Sequence, residues 1–328
     1  MRTRPITLAS LGVLLLLPVT VLQAQTSVDA RPVHYRLSPS SSFEEGCFAP
    51  CLCPGLFIDG LLGTFRMTPA APDPLFQVFD ITEVNWLVPV VNYRVTGMGT
   101  YRIGGEFARM HQLQLDLKVA DREVQHYDSG LILGGAEFPA IVLSVAMNNM
   151  ICRDTVFHVQ AKPSLPIEAV RFGLHGSTYE EGCFGPCDCL VAAWPLLGHF
   201  GLVKLNETNQ GTDYAVLDID WRVRRSSTSP LTDATSVTGY GLYRSSRADG
   251  TQRMFLDLIE DGRGPTRFDS GAVPGLGNPR RIDIDVAESA FACFDRVYSI
   301  HARRRPGASA HLQGIRPEPV KPTVTPAP

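Results

Sequence analysis

The sequence has little excess charge and no strongly basic region. Thirty Lys and Arg residues stand against 33 Asp and Glu residues, which gives a formal net charge of −3 at pH 7. Proteins that bind nucleic acids carry a basic surface that neutralises phosphates, so no nucleic-acid partner is expected. No second long apolar run follows the N-terminal segment, so no membrane span is expected in the mature chain.

The sequence also lacks the short motifs of familiar catalytic and cofactor sites. It contains no Gly-x-Ser-x-Gly, no His-Glu-x-x-His, no phosphate-binding loop and no calcium-binding loop. None of the eight His residues occupies matching positions in the internal repeat described below. We therefore expect no cofactor, and these absences favour a binding or structural role over catalysis.

The N-terminal segment has the pattern of a secretory signal peptide. Arg2 and Arg4 form a short positive region, residues 11–21 are mainly apolar, and Ala24 offers a small residue for cleavage. This apolar core is too short to span a membrane. Residues 1–24 are therefore predicted to be a signal peptide, and the mature protein is expected to be secreted, periplasmic or extracellular.

The most informative feature of the sequence is an internal repeat. FEEGCFAPCLC begins at Phe43, and YEEGCFGPCDC begins at Tyr179, 136 positions later. Between Ser41–Cys53 and Ser177–Cys189, nine of thirteen positions are identical. Further matches follow in the same order: Trp86 and Trp221, TG-x-G-x-YR at Thr96–Arg102 and Thr238–Arg244, Leu-Asp-Leu around Asp116 and Asp257, Asp-Ser-Gly at Asp128 and Asp269, and Cys152 and Cys293. Two copies are too few for a solenoid, so a duplicated domain is predicted.

The repeat and the proline content divide the chain into segments. We predict a first module at residues 25–162, a short Pro-bearing linker at 163–167, and a second module at 168–304. Residues 305–328 are rich in proline and lose the apolar periodicity, so this segment is predicted to be an extended, disordered tail.

Apolar and polar residues alternate within each module. Leu113, Leu115 and Leu117 alternate with polar residues in the first module, as Ile282 and Ile284 do in the second. A period of two with one apolar face is typical of antiparallel sheets. The predicted fold class is all-β, with two tandem homologous antiparallel domains, each a barrel or a sandwich. Trp86 and Trp221 are predicted to be core residues, with carbohydrate stacking as the alternative.

The eight Cys residues favour disulfide bonds over metal binding. Four lie in each module: Cys47, Cys51, Cys53 and Cys152, then Cys183, Cys187, Cys189 and Cys293. An even number in an exported chain is typical of disulfides, and the spacing differs from the paired knuckles of zinc sites. Cys51 and Cys53 are too close to pair easily. We expect one bridge within the N-terminal cluster, another to Cys152, and no metal.

Two adjacent acidic residues precede each cysteine cluster, at Glu44-Glu45 and Glu180-Glu181. Paired carboxylates can act as acid and base or bind a cation. Neighbouring residues on a strand point to opposite faces, however, so they are poorly placed to share a site. We expect these residues to be solvated or to pair with Arg102 and Arg244.

The Asp-Ser-Gly triplet at Asp128 and Asp269 resembles the motif of pepsin-type aspartic peptidases, which are exported, bilobal and all-β. The resemblance implies a catalytic pair that shares one proton. The triplet comes late in each module, whereas that family has it early in each lobe. His126 and Arg267 stand where the family has an apolar residue, and its cysteine pattern is absent. A turn after an edge strand is the favoured interpretation.

The sequence thus predicts an exported, non-enzymatic binding or structural protein made of a duplicated disulfide-bonded β module, with its ligand unknown. A secreted hydrolase that uses Asp128 and Asp269 is the first alternative, and a metal-holding Cys protein is the second.

Overall fold

The protein is all-β in the part of the chain that the structure describes. The computed structural model describes residues 31–305 apart from 54, 72, 165–167, 188, 226–233 and 276–279. Within these residues the strands form two antiparallel sheets and no α-helix is present, as the alternating pattern predicted. The described ranges hold no helix with the length and apolarity that crossing a membrane requires. The predicted signal peptide and the tail after Arg305 lie outside these ranges.

The first sheet belongs to the first module and contains eleven strands. They are β1 (Val33–Leu37), β2 (Ser42–Cys47), β3 (Leu56–Gly60), β4 (Leu62–Pro69), β5 (Phe76–Val88), β6 (Tyr93–Gly104), β7 (Met110–Val119), β8 (Gln125–Asp128), β9 (Ile132–Leu133), β10 (Ile141–Ala146) and β11 (Arg153–Pro163). The path through the sheet is β1-β4-β5-β6-β7-β8-β10-β11-β2-β3, and β9 pairs with β7.

This sheet closes on itself through β11. Residues 161–163 of β11 pair with β1, while residues 153–158 pair with β2. Since β1 also pairs with β4, the strands β1, β4 to β8, β10 and β11 form a continuous ring. Closure leaves the ring without free edges, while β2 and β3 extend from β11 outside it. The alternation could not distinguish a barrel from a sandwich, and the strand pairing shows a closed barrel.

The second sheet belongs to the second module and repeats this path. Its strands are β12 (Ala169–Leu174), β13 (Ser177–Cys183), β14 (Ala192–Glu207), β15 (Gly211–Val223), β16 (Thr235–Ser246), β17 (Thr251–Glu260), β18 (Arg263–Asp269), β19 (Val273–Pro274), β20 (Arg281–Ala287) and β21 (Phe294–Arg304). Pairing of β12 with both β14 and β21 closes the ring. The single strand β14 occupies the place that β3 and β4 share in the first module.

Each ring is filled by the apolar side chains of its alternating strands. Leu113, Leu115 and Leu117 are buried in the first core, while Gln114 and Asp116 are outward. The matched residues Trp86 and Trp221 are almost fully buried, one in each core, so their predicted core role is confirmed. Burial of one large apolar side chain contributes about 1.5–3 kcal/mol, which makes these interiors the main source of stability.

The glycines of the TG-x-G motif permit a close approach between neighbouring strands. A Cβ atom on Gly97 would lie 2.0 Å from the Asp116 carbonyl oxygen, and one on Gly241 would lie 1.9 Å from the Phe255 carbonyl oxygen. Both clashes are with backbone, which cannot move without disturbing the pairing of the strands. The repeated motif therefore maintains barrel geometry.

The two modules pack against each other through an apolar seam. Leu87 of β5 is buried in one cluster with side chains of the second module, namely Val203, Leu205, Ala215, Leu217 and Leu242. Beside this seam, Asn85 Nδ2 donates a hydrogen bond of 2.6 Å to the carbonyl oxygen of Gly241. Outward residues of both barrels are thus covered where the modules meet.

Candidate functional site

All eight cysteines are engaged in disulfide bonds, and the pairing is the same in both modules. The bridges are Cys47–Cys53, Cys51–Cys152, Cys183–Cys189 and Cys187–Cys293. One bridge per module lies within the N-terminal cluster and one reaches the distant cysteine, as predicted. No free thiol is available as a nucleophile, and bonds of this kind are typical of an oxidising compartment.

The Asp that follows each distant cysteine is buried and holds the loop before it. Asp154 accepts hydrogen bonds from the backbone N–H groups of Asn148, Met150 and Thr155. Asp295 binds the loop of the second module in the same way, through Ser289 and Phe291. These carboxylates position the loops that carry the long bridges, so their role is structural.

Asp128 lies at the end of β8 and is held by neutral donors. Its carboxylate accepts hydrogen bonds from Gln112 Nε2 at 2.7 Å, Gln114 Nε2 at 2.9 Å and the Gly130 N–H at 2.8 Å. Burial alone would raise the pKa of Asp128, but these hydrogen bonds outweigh it and lower the pKa below its ordinary value. The carboxylate is therefore ionised at neutral pH.

Asp269 occupies the matching place on β18 but has a charged partner. Arg253 donates to both of its oxygens, at 3.1 and 2.7 Å, and the Gly271 N–H donates at 2.9 Å. Asp128 and Asp269 each bind their own module, and within the described residues no hydrogen bond joins them. In each triplet the Ser hydroxyl accepts a backbone N–H from the neighbouring strand, and the bond from the Gly N–H to the Asp carboxylate two residues before it is that of an Asx turn.

The residues two positions before these Asp residues contact carboxylates across the sheet. His126 Nδ1 lies 2.8 Å from Asp116 Oδ1, and Arg267 Nε lies 3.4 Å from Asp257 Oδ1. The strand register places both pairs directly opposite each other. The departure of His126 and Arg267 from the peptidase pattern thus has a structural role, which is pairing with the Asp of each Leu-Asp-Leu motif.

These contacts lie at a cleft of about 560 Å³ between the two modules. Three pairs of repeat-matched residues line it from opposite sides: Met98 and Tyr240, Asp116 and Asp257, and Val124 and Pro265. Met98 and Val124 are 62% and 60% exposed, so they offer apolar surface. The cleft, hereafter the intermodule cleft, is the place where equivalent positions of both modules converge.

A buried ion pair joins the modules behind this cleft. Arg94 Nη2 donates to Asp257 Oδ2 at 2.6 Å, and the two side chains are only 8% and 7% exposed. Burial lowers the pKa of Arg94, although the Asp257 carboxylate opposes that shift. Arginine stays protonated in proteins, so this is a permanent charge pair. Loss of either member would leave an uncompensated charge in the interface.

The cleft combines apolar walls with neutral and paired polar groups. Burial, followed by the charge of Asp257, raises the pKa of Tyr240 to about 12, so its hydroxyl stays protonated and can donate. Asp257 is paired with two arginines and Asp116 with His126. This arrangement suits the binding of a small molecule. Sequence reasoning missed it, although the repeated Leu-Asp-Leu motif was a usable signal.

The paired glutamates do not form a shared site. Glu45 binds Arg122 through both oxygens, at 2.6 and 3.0 Å, whereas Glu44 lies 3.1 Å from His158 Nε2. The two side chains point to opposite faces, as predicted. The expected partners were wrong, because Arg102 binds Gln112 and Arg244 binds Asp213.

Glu44 belongs to a Ser-His-Glu constellation that sequence reasoning also missed. Ser144 Oγ lies 2.6 Å from His158 Nδ1, and His158 Nε2 lies 3.1 Å from Glu44. A hydroxyl, a base and an orienting carboxylate in this order are the components of an activated nucleophile. Ser144 lies within the paired part of β10, however, where backbone N–H groups are taken up by the strand ladder and cannot form an oxyanion hole.

No metal centre is apparent in the described part of the chain, where no group of three or more His, Cys, Asp or Glu side chains could hold an ion.

Comparisons with models of known families, with curated proteins and with solved structures gave no significant match.

Proposed function

We propose that this chain is an exported, non-enzymatic binding protein and that its ligand occupies the intermodule cleft. The observation that carries the proposal is the convergence of matched residues from both modules, such as Met98 with Tyr240. Neither module alone builds this cleft, which gives the pairing of two modules a functional purpose. Clefts between domains with apolar walls and a few fixed polar groups are common ligand sites.

Export is supported by the N-terminal pattern and by the disulfides. The four bridges are typical of an oxidising compartment, and the signal peptide at residues 1–24 provides the route. Because the bridges hold the loops of each barrel, the modules can present their side chains with little loss of conformational entropy on binding.

The chemistry of the cleft favours a small amphipathic molecule with an apolar body. Met98 and Val124 would contact the apolar part, while Lys118, which lines the cleft and forms no ion pair among the described residues, would bind an acidic group. A naphthalene sulfonate dye, 1-anilinonaphthalene-8-sulfonate, has both features and is a suitable probe. Titration of the mature protein with this dye should give saturable fluorescence with one site.

The decisive variant is Met98→Ser. Removal of its exposed apolar surface should cost about 1.5 kcal/mol of binding free energy, a rise in Kd of about tenfold. Val142→Ser is the matched control, because Val142 is also exposed but does not line the cleft. Equal dye affinity in Met98→Ser, Val142→Ser and the wild-type protein would contradict the proposal.

A hydrolase is the second candidate function, because the Ser144–His158–Glu44 constellation has the parts of an activated nucleophile, although the strand ladder beside Ser144 offers no oxyanion hole. An activated Ser144 should react with a fluorophosphonate, with a covalent adduct on Ser144 found by mass spectrometry and lost in His158→Ala. The second module provides an internal control, because Ser299 donates to Asp285 and has no His partner. Absence of the Ser144 adduct, together with absence of pepstatin-sensitive proteolysis by Asp128 and Asp269, would exclude both catalytic alternatives.

A further inference from the structure

The second module carries a separate cleft of about 580 Å³ on its outer wall. It lies where the β14–β15 and β16–β17 turns approach each other, and we call it the polar cleft. Hydroxyl and amide side chains form much of its lining, including Thr208, Gln210, Thr212 and Thr251. Among the described residues that line it, the apolar side chains are Pro89 of the first module, Ala248 and Ala272, so the cleft offers little surface to an apolar ligand.

A row of four charged side chains, two arginines between two aspartates, crosses the floor of the polar cleft. Arg244 Nε donates to Asp213 Oδ1 at 2.6 Å, and Arg253 is bound to Asp269 as described above. The strand register places Asp213 opposite Arg244, and Arg244 opposite Arg253. Two guanidinium groups are therefore cross-strand neighbours, each held in place by its own carboxylate.

These side chains retain hydrogen-bonding capacity that the described residues do not use. Arg244 bonds through Nε and Nη1, which leaves Nη2, and Arg253 bonds through Nε and Nη2, which leaves Nη1. Asp213 accepts through Oδ1 only, which leaves Oδ2. Hydrogen bonds from Ser246 and Thr251 lower the pKa of Asp249, so this exposed carboxylate is a further ionised acceptor at neutral pH.

The equivalent surface of the first module has a different composition. Arg102 corresponds to Arg244, but Gln112 stands in place of Arg253 and Val78 in place of Asp213. Arg102 Nε donates to Gln112, whose amide in turn donates to Asp128. The first module therefore has one cation, Arg102, one anion, Asp128, and the neutral amide of Gln112 between them. The second module has one more cation and one more anion, so the net charge of the row is unchanged while its number of charged side chains has doubled.

We propose that the polar cleft binds a neutral carbohydrate through adjacent hydroxyl groups. Each sugar hydroxyl both donates and accepts, so a site for a pair of hydroxyls must supply donors and acceptors side by side. Arg244 and Arg253 supply the donors, and Asp213 and Asp249 supply the acceptors. Charge-assisted hydrogen bonds of this kind are about twice as strong as neutral ones.

The charge balance of the cleft selects against ionic ligands. The four charged side chains that line it are two arginines and two aspartates, and they sum to zero. An anion would gain from the arginines but would be repelled by Asp213 and Asp249, and a cation would meet the opposite conflict. A neutral polyhydroxylated molecule uses all four groups. This inference does not depend on the intermodule cleft or its ligand.

Saturation-transfer-difference NMR on the mature protein tests the proposal, because it detects weak binding. The probes are cellotriose, maltotriose, xylotriose and N,N′,N″-triacetylchitotriose as neutral sugars, with trigalacturonate and chitosan trimer as charged counterparts. At least one neutral trisaccharide should give ring-proton signals, and both charged trimers should give weaker ones. Arg253→Gln should reduce the affinity for the bound sugar by about tenfold or more, as expected for a lost charge-assisted hydrogen bond.

Arg102→Gln is the control, since it removes from the first module the arginine that corresponds to Arg244 and should leave sugar binding unchanged. Binding of none of the neutral trisaccharides would overturn the proposal, as would equal affinity in Arg253→Gln and the wild-type protein. Stronger binding of a charged trimer would also overturn it. Met98→Ser should not alter the sugar signals, so failure here is distinguishable from failure of the intermodule proposal.

Discussion

The two modules share one strand order but differ in what they present on the outer face of the barrel. At one matched position of the TG-x-G-x-YR motif, the first module has Thr100 and the second has Leu242. On the next strand Gln114 corresponds to Phe255. Leu242 and Phe255 pack into the apolar seam between the modules, whereas Gln114 donates a hydrogen bond to Asp128. Apolar residues thus make this face of the second module an interaction surface.

On β5 and β15 the difference is reversed, because here the first module has the apolar residue and the second has the polar one. Leu87 of the first module enters the seam, and its equivalent Arg222 is exposed in the second. The interface therefore joins non-equivalent surfaces of the two modules. Contacts of this head-to-tail kind can in principle be repeated, with each further module binding the one before it. These two modules cannot extend the contact to a further module. The second has no equivalent of Leu87, and the corresponding face of the first is polar at Thr100 and Gln114. A few outward positions decide how two similar barrels dock.

The long disulfides should stabilise both modules by similar amounts. Cys51–Cys152 spans 101 residues and Cys187–Cys293 spans 106. On the chain-entropy model, replacing either pair by Ala should cost about 4–5 kcal/mol, against about 2 kcal/mol for Cys47–Cys53 with its separation of 6. Urea unfolding of the three double variants measures this. A large loss of unfolding free energy for one long bridge with none for the other would show that the two modules do not depend equally on these bridges.

Asp257 and Asp116 occupy matched positions but should differ strongly in their contribution to the free energy of unfolding. Asp257→Asn leaves Arg94 buried without its counter-charge, so we expect a loss of about 3–5 kcal/mol. Asp116 and His126 are more than half exposed, and Asp116→Asn should cost no more than about 0.5 kcal/mol. Denaturant midpoints at pH 7 provide the comparison. Similar losses of stability for the two variants would show that burial of the Arg94–Asp257 pair does not increase its contribution.

Exchange of Leu87 and Arg222 tests the asymmetry of the seam directly. Leu87→Arg would place a charge in the apolar cluster and remove a buried side chain, with an expected loss of about 3 kcal/mol. Arg222→Leu changes an exposed position and should alter stability by less than about 0.5 kcal/mol. Calorimetry should show Leu87→Arg lowering the unfolding temperature or separating the transition into two. Equal effects would mean that the seam does not stabilise the pair.

The Asp-Ser-Gly carboxylates should have small and additive effects. Asp128→Asn and Asp269→Asn should each cost about 1 kcal/mol, because their hydrogen bonds are partly exposed, and the double variant should equal the sum. The folded pKa of Asp128 is lowered, so its contribution is present above the unfolded pKa of about 4 and is lost as pH falls through the folded value. Stabilising single variants with strong coupling would instead indicate a proton-sharing pair.

Sequence reasoning was strongest for features that depend on local pattern. Alternation predicted the buried face of β7 at Leu113 and Leu115, and the repeat predicted matched core residues at Trp86 and Trp221. Reasoning was weakest for partners of polar groups. Glu45 was expected to be solvated or to bind Arg102, but it binds Arg122, 77 residues away. Which cation meets a given carboxylate depends on strand order, and alternation carries no information about strand order.

The sequence by itself determined the all-β class, the two-module plan and the disulfide chemistry, because a period of two and a repeated cysteine spacing are written along the chain. Only the tertiary structure decided that each sheet closes into a barrel, since closure depends on the pairing of β11 with β1 and of β21 with β12. It also decided that Asp128 and Asp269 each bind within their own module, and that Met98 meets Tyr240. Those arrangements depend on how two barrels dock, and docking is set by a few outward side chains such as Leu87 and Leu242, whose partners lie far away in the sequence.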